Sequence, residues 1–99
     1  MRIISAGRLK AFRERPAHRD AEQPLRTWVK VVRAAKWRNP PAAKRMFNSA
    51  DLLRDGRVVF DIAGNKFRLV AWVNFDYGVV YVCVIGTHRQ YDAIDAQTI

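Results

Sequence analysis

Residues 57–85 read RVVFDIAGNKFRLVAWVNFDYGVVYVCVI, and this stretch determines the fold class. Its apolar residues recur with a period of two, which is the spacing of a strand that buries one face. Gly64-Asn65 and Asp76-Tyr77-Gly78 interrupt the pattern with residue types that favour tight turns. The pattern therefore predicts three antiparallel strands, over 57–63, 66–75 and 79–85, joined by two hairpins.

The middle strand of this meander has two chemically different faces. One face is entirely apolar and consists of Phe67, Leu69, Ala71, Val73 and Phe75. The other face begins with two cations and consists of Lys66, Arg68, Val70, Trp72 and Asn74. We expect helices to cover the apolar face and to leave Lys66 and Arg68 on an open face. There the two cations could bind a phosphodiester, or they could be ordinary surface side chains at the edge with no binding role.

The residues before the meander favour helices and one short strand. Residues 2–5 can form an edge strand, and Ser5 is a plausible N-cap for a first helix over 6–15. Pro16 then ends this helix, because proline cannot continue the hydrogen-bond ladder. Later, Trp37 is expected to be a packing anchor and not a stacking surface for a base.

A second helix is predicted to begin after Asp20, which can cap it, and to end before Asn39-Pro40-Pro41. Its apolar stripe follows the i, i+3, i+4, i+7 rule and consists of Leu25, Trp28, Val29 and Val32. A basic stripe runs beside it and consists of Arg26, Lys30 and Arg33. This flank could contact a polyanion or could simply be solvated.

Helices therefore come first along the chain and strands later, which is typical of the α+β class. We expect N-terminal helices packed on one face of a small antiparallel sheet, followed by a short C-terminal helix or tail. The chain has 99 residues, a length that fits one domain over 1–99.

The charge of the chain is strongly positive and unevenly distributed. The chain carries 18 Lys and Arg against nine Asp and Glu, a net charge of +9. Residues 1–57 have a net charge of +10, whereas residues 58–99 have a net charge of −1. Nucleic acid is the commonest partner of such a surface. A solubilising surface and an acidic protein partner remain as alternatives.

Several other classes of protein are disfavoured. Cys83 is the single cysteine, so no intramolecular disulfide can form, and no signal peptide or membrane-spanning run is evident. We therefore expect a soluble cytoplasmic protein. His18 and His88 are far apart in sequence and do not suggest a zinc site, and His18 is expected to lie on the surface. With no glycine-rich phosphate loop either, no cofactor is expected.

The segment GTHRQYD at 86–92 holds the residues best suited to chemistry. The pKa of free histidine is about 6.5, so His88 can exchange a proton at neutral pH. Tyr91 lies three residues later, on the same face of any helical turn. Together with Arg68, these groups could abstract the proton of a ribose 2′-OH, stabilise the charged transition state and protonate the leaving oxygen without a metal. A purely structural role for His88 is the competing interpretation.

Two segments resemble a known family. VFDIAGNKFRLV at 59–70 resembles the central hairpin of the HigB toxins, and GTHRQYD at 86–92 resembles their C-terminal signature. Further matches occur in order along nearly the whole chain, at Arg2-Ile3-Ile4-Ser5, Trp28, Ala35-Lys36-Trp37, Phe47 and Ser49-Ala50-Asp51. The family is similar to RelE-like ribonucleases, whose fold consists of helices followed by an antiparallel sheet.

The resemblance implies a toxin of a type II toxin–antitoxin system that cleaves mRNA on the ribosome. It implies a HigA-like helix-turn-helix antitoxin as partner, and contact with operator DNA only through the antitoxin complex. Arg68 would then hold the scissile phosphate, His88 would act as general acid or base, and Tyr91 would assist proton transfer or stack on a base.

Further RNA contacts are expected from two groups of side chains. Asn65 and Lys66 would contact the RNA backbone beside the catalytic residues, as the resemblance implies. The other candidate RNA-binding residues are the cations Arg57, Arg89, Arg26, Lys30 and Arg33. The alternative function is a non-catalytic, basic nucleic-acid-binding or regulatory module, which would bind RNA without cutting it.

Overall fold

The computed structural model of the chain describes residues 1–92, so the last seven residues of the expected 1–99 domain, and any tail they form, lie outside the described residues. Its strands are β1 (Arg2–Ile4), β2 (Asp51–Leu52), β3 (Arg57–Ile62), β4 (Phe67–Asn74) and β5 (Val79–Thr87). Its α-helices are α1 (Ala6–Arg13), α2 (Glu22–Ala34), α3 (Pro40–Met46) and α4 (His88–Asp92), with 3-10 segments at Pro16–Ala21 and Arg54–Gly56. Within residues 1–92, no helix is long and apolar enough to cross a membrane.

The described strands form one sheet in the order β1-β5-β4-β3-β2. The predicted antiparallel meander is confirmed, since β3 pairs with β4 and β4 pairs with β5 in antiparallel register. The sheet as a whole is mixed, because the predicted N-terminal edge strand β1 pairs parallel with β5. At the other edge lies β2, which pairs antiparallel with β3 and which the sequence does not indicate, because two residues are too few to show a period.

The first hairpin is less tight than predicted. The last paired residues are Ile62 and Phe67, and the N–H of Lys66 donates to the carbonyl of Ala63 across the turn (3.3 Å). Both Ala63 (φ +56°) and Gly64 (φ +71°) adopt left-handed backbone conformations, which widen the loop to four residues. The return strand therefore starts at Phe67, and the expectation that Lys66 lies on the strand is wrong.

The hydrophobic core lies between the helices and one face of the sheet, as predicted. From α2, Trp28 packs edge-to-face on Phe60 of β3, with ring centroids 5.3 Å apart. Trp37 is a packing anchor as expected, because it is buried and contacts both Phe47 and Phe60. The apolar face of β4 is also buried here, except that Phe75 is only partly covered and lies beyond the end of the strand.

The starts of the first two helices differ from the predictions. Ser5 precedes α1 but adopts a left-handed conformation (φ +69°), and its side chain makes no capping hydrogen bond. After α1 ends at Arg13, the chain forms the 3-10 segment Pro16–Ala21, which contains Asp20. Asp20 does not cap α2, because the N-cap position falls on Ala21 and the Asp20 carboxylate pairs with Lys66 instead.

His18 was expected to lie on the surface, but it is less exposed than a surface residue. It is half-buried, and its ring stacks on Phe12 with the ring centroids 3.9 Å apart. Its Nδ1 lies 3.1 Å from the carbonyl oxygen of Phe12. These contacts give His18 a structural role in joining the 3-10 segment to α1.

Candidate active site

Arg68 lies on the face of β4 that the helices leave uncovered. Across the hairpin, Asp61 of β3 is its direct partner in register, and the Nε of Arg68 lies 2.9 Å from Oδ1 of Asp61. The side chain of Arg68 is only 22% exposed and that of Asp61 only 18%. A second carboxylate, that of Asp51 on β2, is 3.8 Å from a terminal nitrogen of Arg68 and is 61% exposed. The guanidinium is therefore held firmly on one side and loosely on the other.

Helix α4 begins where β5 ends, and a capping box fixes its start. The N–H of Gln90 donates to Oγ1 of Thr87 (3.2 Å), and the N–H of Thr87 donates to Oε1 of Gln90 (2.9 Å). This reciprocal arrangement satisfies two backbone donors at the helix start. A Cβ on Gly86 would lie 2.6 Å from Oε1 of Gln90, so a glycine makes room for the box. The box positions His88 and Tyr91 in the first turn and a half of α4.

The three predicted catalytic side chains converge at this corner of the sheet. The Nε of Arg68 donates to Nε2 of His88 over 3.3 Å, and the Cζ of Arg68 lies 5.1 Å from the centroid of the Tyr91 ring. The second contact has the geometry of a cation–π interaction. Beside them is a cleft of about 250 Å³, lined by Arg68, Val84, Ile85, Gly86, Gln90 and Tyr91.

This geometry gives His88 a defined hydrogen-bonding role. A guanidinium can only donate, so Nε2 of His88 accepts this hydrogen bond and carries no proton of its own in this arrangement. The arginine supplies positive charge next to the same nitrogen, and the ring of Tyr91 lies against the guanidinium. The candidate cation Arg68 and the candidate acid Tyr91 therefore line one cleft, and the candidate base His88 contacts the cation beside it. Among residues 1–92, no three or more His, Cys, Asp or Glu side chains come together as a metal site.

The structure places the other predicted RNA-contacting residues outside this cleft. Lys66 turns toward the helical layer, where its Nζ lies 2.9 Å from Oδ2 of Asp20. The hydrogen bond from Lys66 is the main cause that lowers the pKa of the Asp20 carboxyl below its ordinary value. Asn65 is exposed in the same loop, and Arg89 is exposed on α4. Arg57 lies in register with Trp72, at the far end of the open face.

The basic stripe of α2 forms one wall of a separate, larger cleft. Arg26, Lys30 and Arg33 are exposed and line a cleft of about 770 Å³ between α1 and α2. Lys10 and Arg13 of α1 line the opposite wall. These two cations were not predicted from the sequence, because only the packing of α1 on α2 brings them to the stripe. Arg26 also makes an exposed ion pair with Glu22, 3.3 Å away.

The two carboxylates that contact Arg68 were also not predicted from the sequence. Asp61 could have been found, because counting outward from the Gly64-Asn65 turn places it directly opposite Arg68. Opposite charges on facing positions of an antiparallel pair attract one another. Asp51 could not have been found in this way, since it belongs to the two-residue strand β2.

Comparisons with known proteins agree with one another over most of the chain. Residues 21–94 match the family model described as the HigB toxin, a RelE-like toxic component of a toxin–antitoxin system. The chain is 29% identical over 99 residues to the mRNA interferase toxin HigB of Escherichia coli K12, covering 97% of this chain and 92% of that protein. The proteins named mRNA interferase HigB from Escherichia coli O157:H7 and Shigella flexneri match with the same identity and coverage.

Proposed function

Because the chain belongs to the HigB family of RelE-like toxins of toxin–antitoxin systems, we propose that it is an endoribonuclease that cleaves mRNA. The observation that carries this proposal is that Arg68 and Tyr91 line one cleft at the open face of the sheet and that His88 contacts Arg68. The relatives are named mRNA interferases, and their names support the same activity.

The proposed reaction is attack of a ribose 2′-OH on the adjacent phosphate. As the substrate binds, Nε2 of His88 gives up the hydrogen bond from Arg68, and it then accepts the 2′-OH proton while the 2′ oxygen forms a bond to phosphorus. Arg68 neutralises the charge that builds up on the phosphate oxygens. The bond from phosphorus to the 5′ oxygen breaks, and the hydroxyl of Tyr91 gives a proton to that oxygen. The products are a 2′,3′-cyclic phosphate and a 5′-hydroxyl end. One proton has moved from the 2′-OH to His88 and one from Tyr91 to the 5′ oxygen, so transfer of a proton from His88 to Tyr91 through solvent restores both residues.

Arg68 can accept a phosphate without losing its main support. The contact with Asp51 is long, at 3.8 Å, and its carboxylate is largely exposed, so solvent already weakens it. A phosphodiester can displace this partner and still leave Nε on the shorter contact with Asp61. Asp61 is therefore a positioning residue, which keeps the guanidinium aimed at the cleft.

Association with the ribosome belongs to the same proposal. The cleft lined by Arg26, Lys30 and Arg33 would contact ribosomal RNA, because clustered cations on one surface attract a polyanion regardless of its sequence. Asn65, Arg57 and Arg89 would contact the RNA backbone outside the cleft, and Lys66 would do so after giving up its ion pair with Asp20. A HigA-like helix-turn-helix antitoxin would neutralise the toxin in the cytoplasm, and operator DNA would be bound only through that complex.

The test is to express the chain from a tightly repressed promoter and to map mRNA 5′ ends by primer extension. We expect new cuts in phase with the reading frame for the unaltered chain, and none for Arg68→Ala or His88→Ala. Arg38→Ala removes an exposed cation that does not line the 250 Å³ cleft, so it should cut like the unaltered chain.

The outcomes of this test separate the two functions. Growth arrest without new cuts would favour the non-catalytic binding module. Cuts that persist in His88→Ala would remove that residue from the proposed mechanism, and an unaltered chain that neither arrests growth nor cuts mRNA would contradict the proposal as a whole.

A further inference from the structure

The open face of the sheet carries a second group of partly exposed side chains away from the cleft. Trp72 lies on the same face of β4 as Arg68, because the two residues are separated by an even number of positions. Its register partner on β5 is Tyr81. The two rings are neighbours, with centroids 5.1 Å apart and planes tilted by 34°. Both side chains are half-exposed, so they form an aromatic surface that solvent can reach.

A bulge in β5 places this aromatic surface and the catalytic corner on the same face. Val70 pairs with Val84 and Ala71 pairs with Val82, so Cys83 is an extra residue in β5. Tyr81 and Gly86 are five positions apart, and in a regular strand they would face opposite sides. The extra residue in β5 puts Tyr81 and Gly86 on the same face of the sheet, because Tyr81 pairs with Trp72 and Gly86 pairs with Arg68.

The indole of Trp72 is fixed before any ligand binds. Its Nε1 donates a hydrogen bond to the carbonyl oxygen of Asp55, 2.6 Å away. The next residue, Gly56, packs so tightly against β4 that a Cβ there would lie 2.6 Å from the carbonyl oxygen of Val73. A ring held in this way loses little freedom when a flat ligand stacks on it.

Apolar side chains connect the two ends of the open face. Val59 and Val70 are buried between them, with Leu53, Cys83 and Val84 packed alongside. Cations flank the aromatic end, since Arg57 is in register with Trp72 and Arg2 is in register with Val79. Aromatic rings next to cations on an open sheet are the pattern with which proteins bind single-stranded nucleic acid, because bases stack on the rings while cations meet the phosphates.

We propose that Trp72 and Tyr81 form a stacking platform for an unpaired base of the RNA substrate. The platform lies four residues along β4 from Arg68, or roughly 13 Å at the rise of a strand. It would therefore hold a nucleotide beyond the scissile phosphate. Stacking does not require a particular base, so the platform contributes affinity and position with little sequence preference. This inference rests on the proposed function, since it extends the same RNA site.

The fluorescence of the chain offers a direct test. Trp28 and Trp37 are 2% and 3% exposed, so Trp72 is the tryptophan that an added ligand can reach. The probe is a short single-stranded 2′-O-methyl RNA of mixed sequence, which can bind but lacks the hydroxyl that the reaction needs. Binding is measured by the anisotropy of a labelled copy, and quenching by titration of an unlabelled copy. We expect saturable quenching with the same Kd as the anisotropy change.

Matched variants separate stacking from folding. Trp72→Leu and Tyr81→Leu should each weaken binding about tenfold, because they remove an aromatic face. Trp72→Phe keeps a ring and should bind within about threefold of the unaltered chain. Tyr77→Ala removes an aromatic residue that is 82% exposed in the loop between β4 and β5, and it should bind like the unaltered chain. Circular dichroism of each variant checks that the fold is intact.

Two results would overturn the platform. One is RNA binding without quenching, and the other is a folded Trp72→Leu variant that binds as tightly as the unaltered chain. Either result leaves the proposed nuclease intact if the unaltered chain still cuts mRNA. A chain that binds and is quenched but never cuts would contradict the nuclease and leave the platform standing. No binding by the unaltered chain would also contradict the platform, whereas the nuclease would still be judged by the mapped mRNA cuts.

Discussion

Arg68 contacts four side chains of the folded protein and is also the residue proposed to bind the substrate phosphate. Asp61 of β3 and Asp51 of β2 contact it, His88 accepts a hydrogen bond from it, and Tyr91 lies against its guanidinium. An arginine that is 22% exposed needs such partners, because a poorly solvated charge without them is costly. The same partners fix its direction, so much of the entropy of positioning is already lost before RNA binds.

The role of Asp61 can be tested by Asp61→Asn. We expect kcat for cleavage of a short RNA to fall about tenfold with a smaller change in KM, because the guanidinium would remain present but lose its charged support. Asp51→Asn is the matched control and should change kcat less than about threefold, since its contact is longer and more exposed. A large rise in KM with unchanged kcat for Asp61→Asn would argue against a positioning role.

At the scale of elements, α4 is the shortest α-helix of the described chain, and it carries two of the three proposed catalytic residues. Its five residues are far too few for a stable isolated helix, so it depends on its cap and on its packing against β5. Thr87 and Gln90 supply the cap, and Tyr91 supplies packing against the open-face cluster of Val59 and Val70. Such a short helix can position the two proposed catalytic side chains, His88 and Tyr91, only while both supports are intact.

The capping box can be tested by Thr87→Ala. Loss of an N-cap side chain costs about 1 kcal/mol, which should lower the urea midpoint of unfolding slightly. Cleavage should fall several-fold more than this small loss of folded protein explains, because His88 and Tyr91 lose their fixed orientation. Thr27→Ala, at an exposed position inside α2, is the control and should retain full cleavage. Equal activity of the two variants would show that the cap does not position the site.

At the scale of the whole molecule, the excess of positive charge and the 250 Å³ cleft beside Arg68 lie in different parts of the chain. Residues 1–57 hold the positive excess, whereas β4, β5 and α4 hold the catalytic candidates. The fold adds the cations of α1 to those of α2 around one large cleft. Affinity for a polyanion and chemistry on one phosphate are therefore assigned to separate surfaces.

This division can be tested by reversing Arg26, Lys30 and Arg33 to Glu together. Ribosome binding should weaken strongly, and the slope of log Kd against log salt should fall by about three, because each cation that neutralises a phosphate contributes about one to that slope. Cleavage of a short free RNA at saturating concentration should be nearly unchanged. Reversal of the exposed residues Arg19, Arg38 and Arg45 changes the net charge equally and is the control. Equally weakened ribosome binding in the two triple variants would indicate that only total charge matters.

Features that depend on neighbouring residues could be predicted from the amino-acid sequence alone. The period of two and the two turns predicted β3, β4 and β5, and the same alternation separated the buried face of β4 from the face that carries Arg68. The spacing of His88 and Tyr91 placed both in one helical turn. Such features follow from local backbone geometry and from the burial of apolar side chains, which a short window of sequence already specifies.

Which distant groups meet became known only from the folded chain. Strand β2 and its Asp51 gain a partner only when β3 is in place, because two residues make too few hydrogen bonds to form a strand alone. Lys66 was assigned to the open face, yet it pairs with Asp20, 46 positions earlier in the chain. The bulge at Cys83, which brings Tyr81 and Gly86 to the same face, follows from the register between strands. These contacts depend on long-range packing, whose geometry no local pattern encodes.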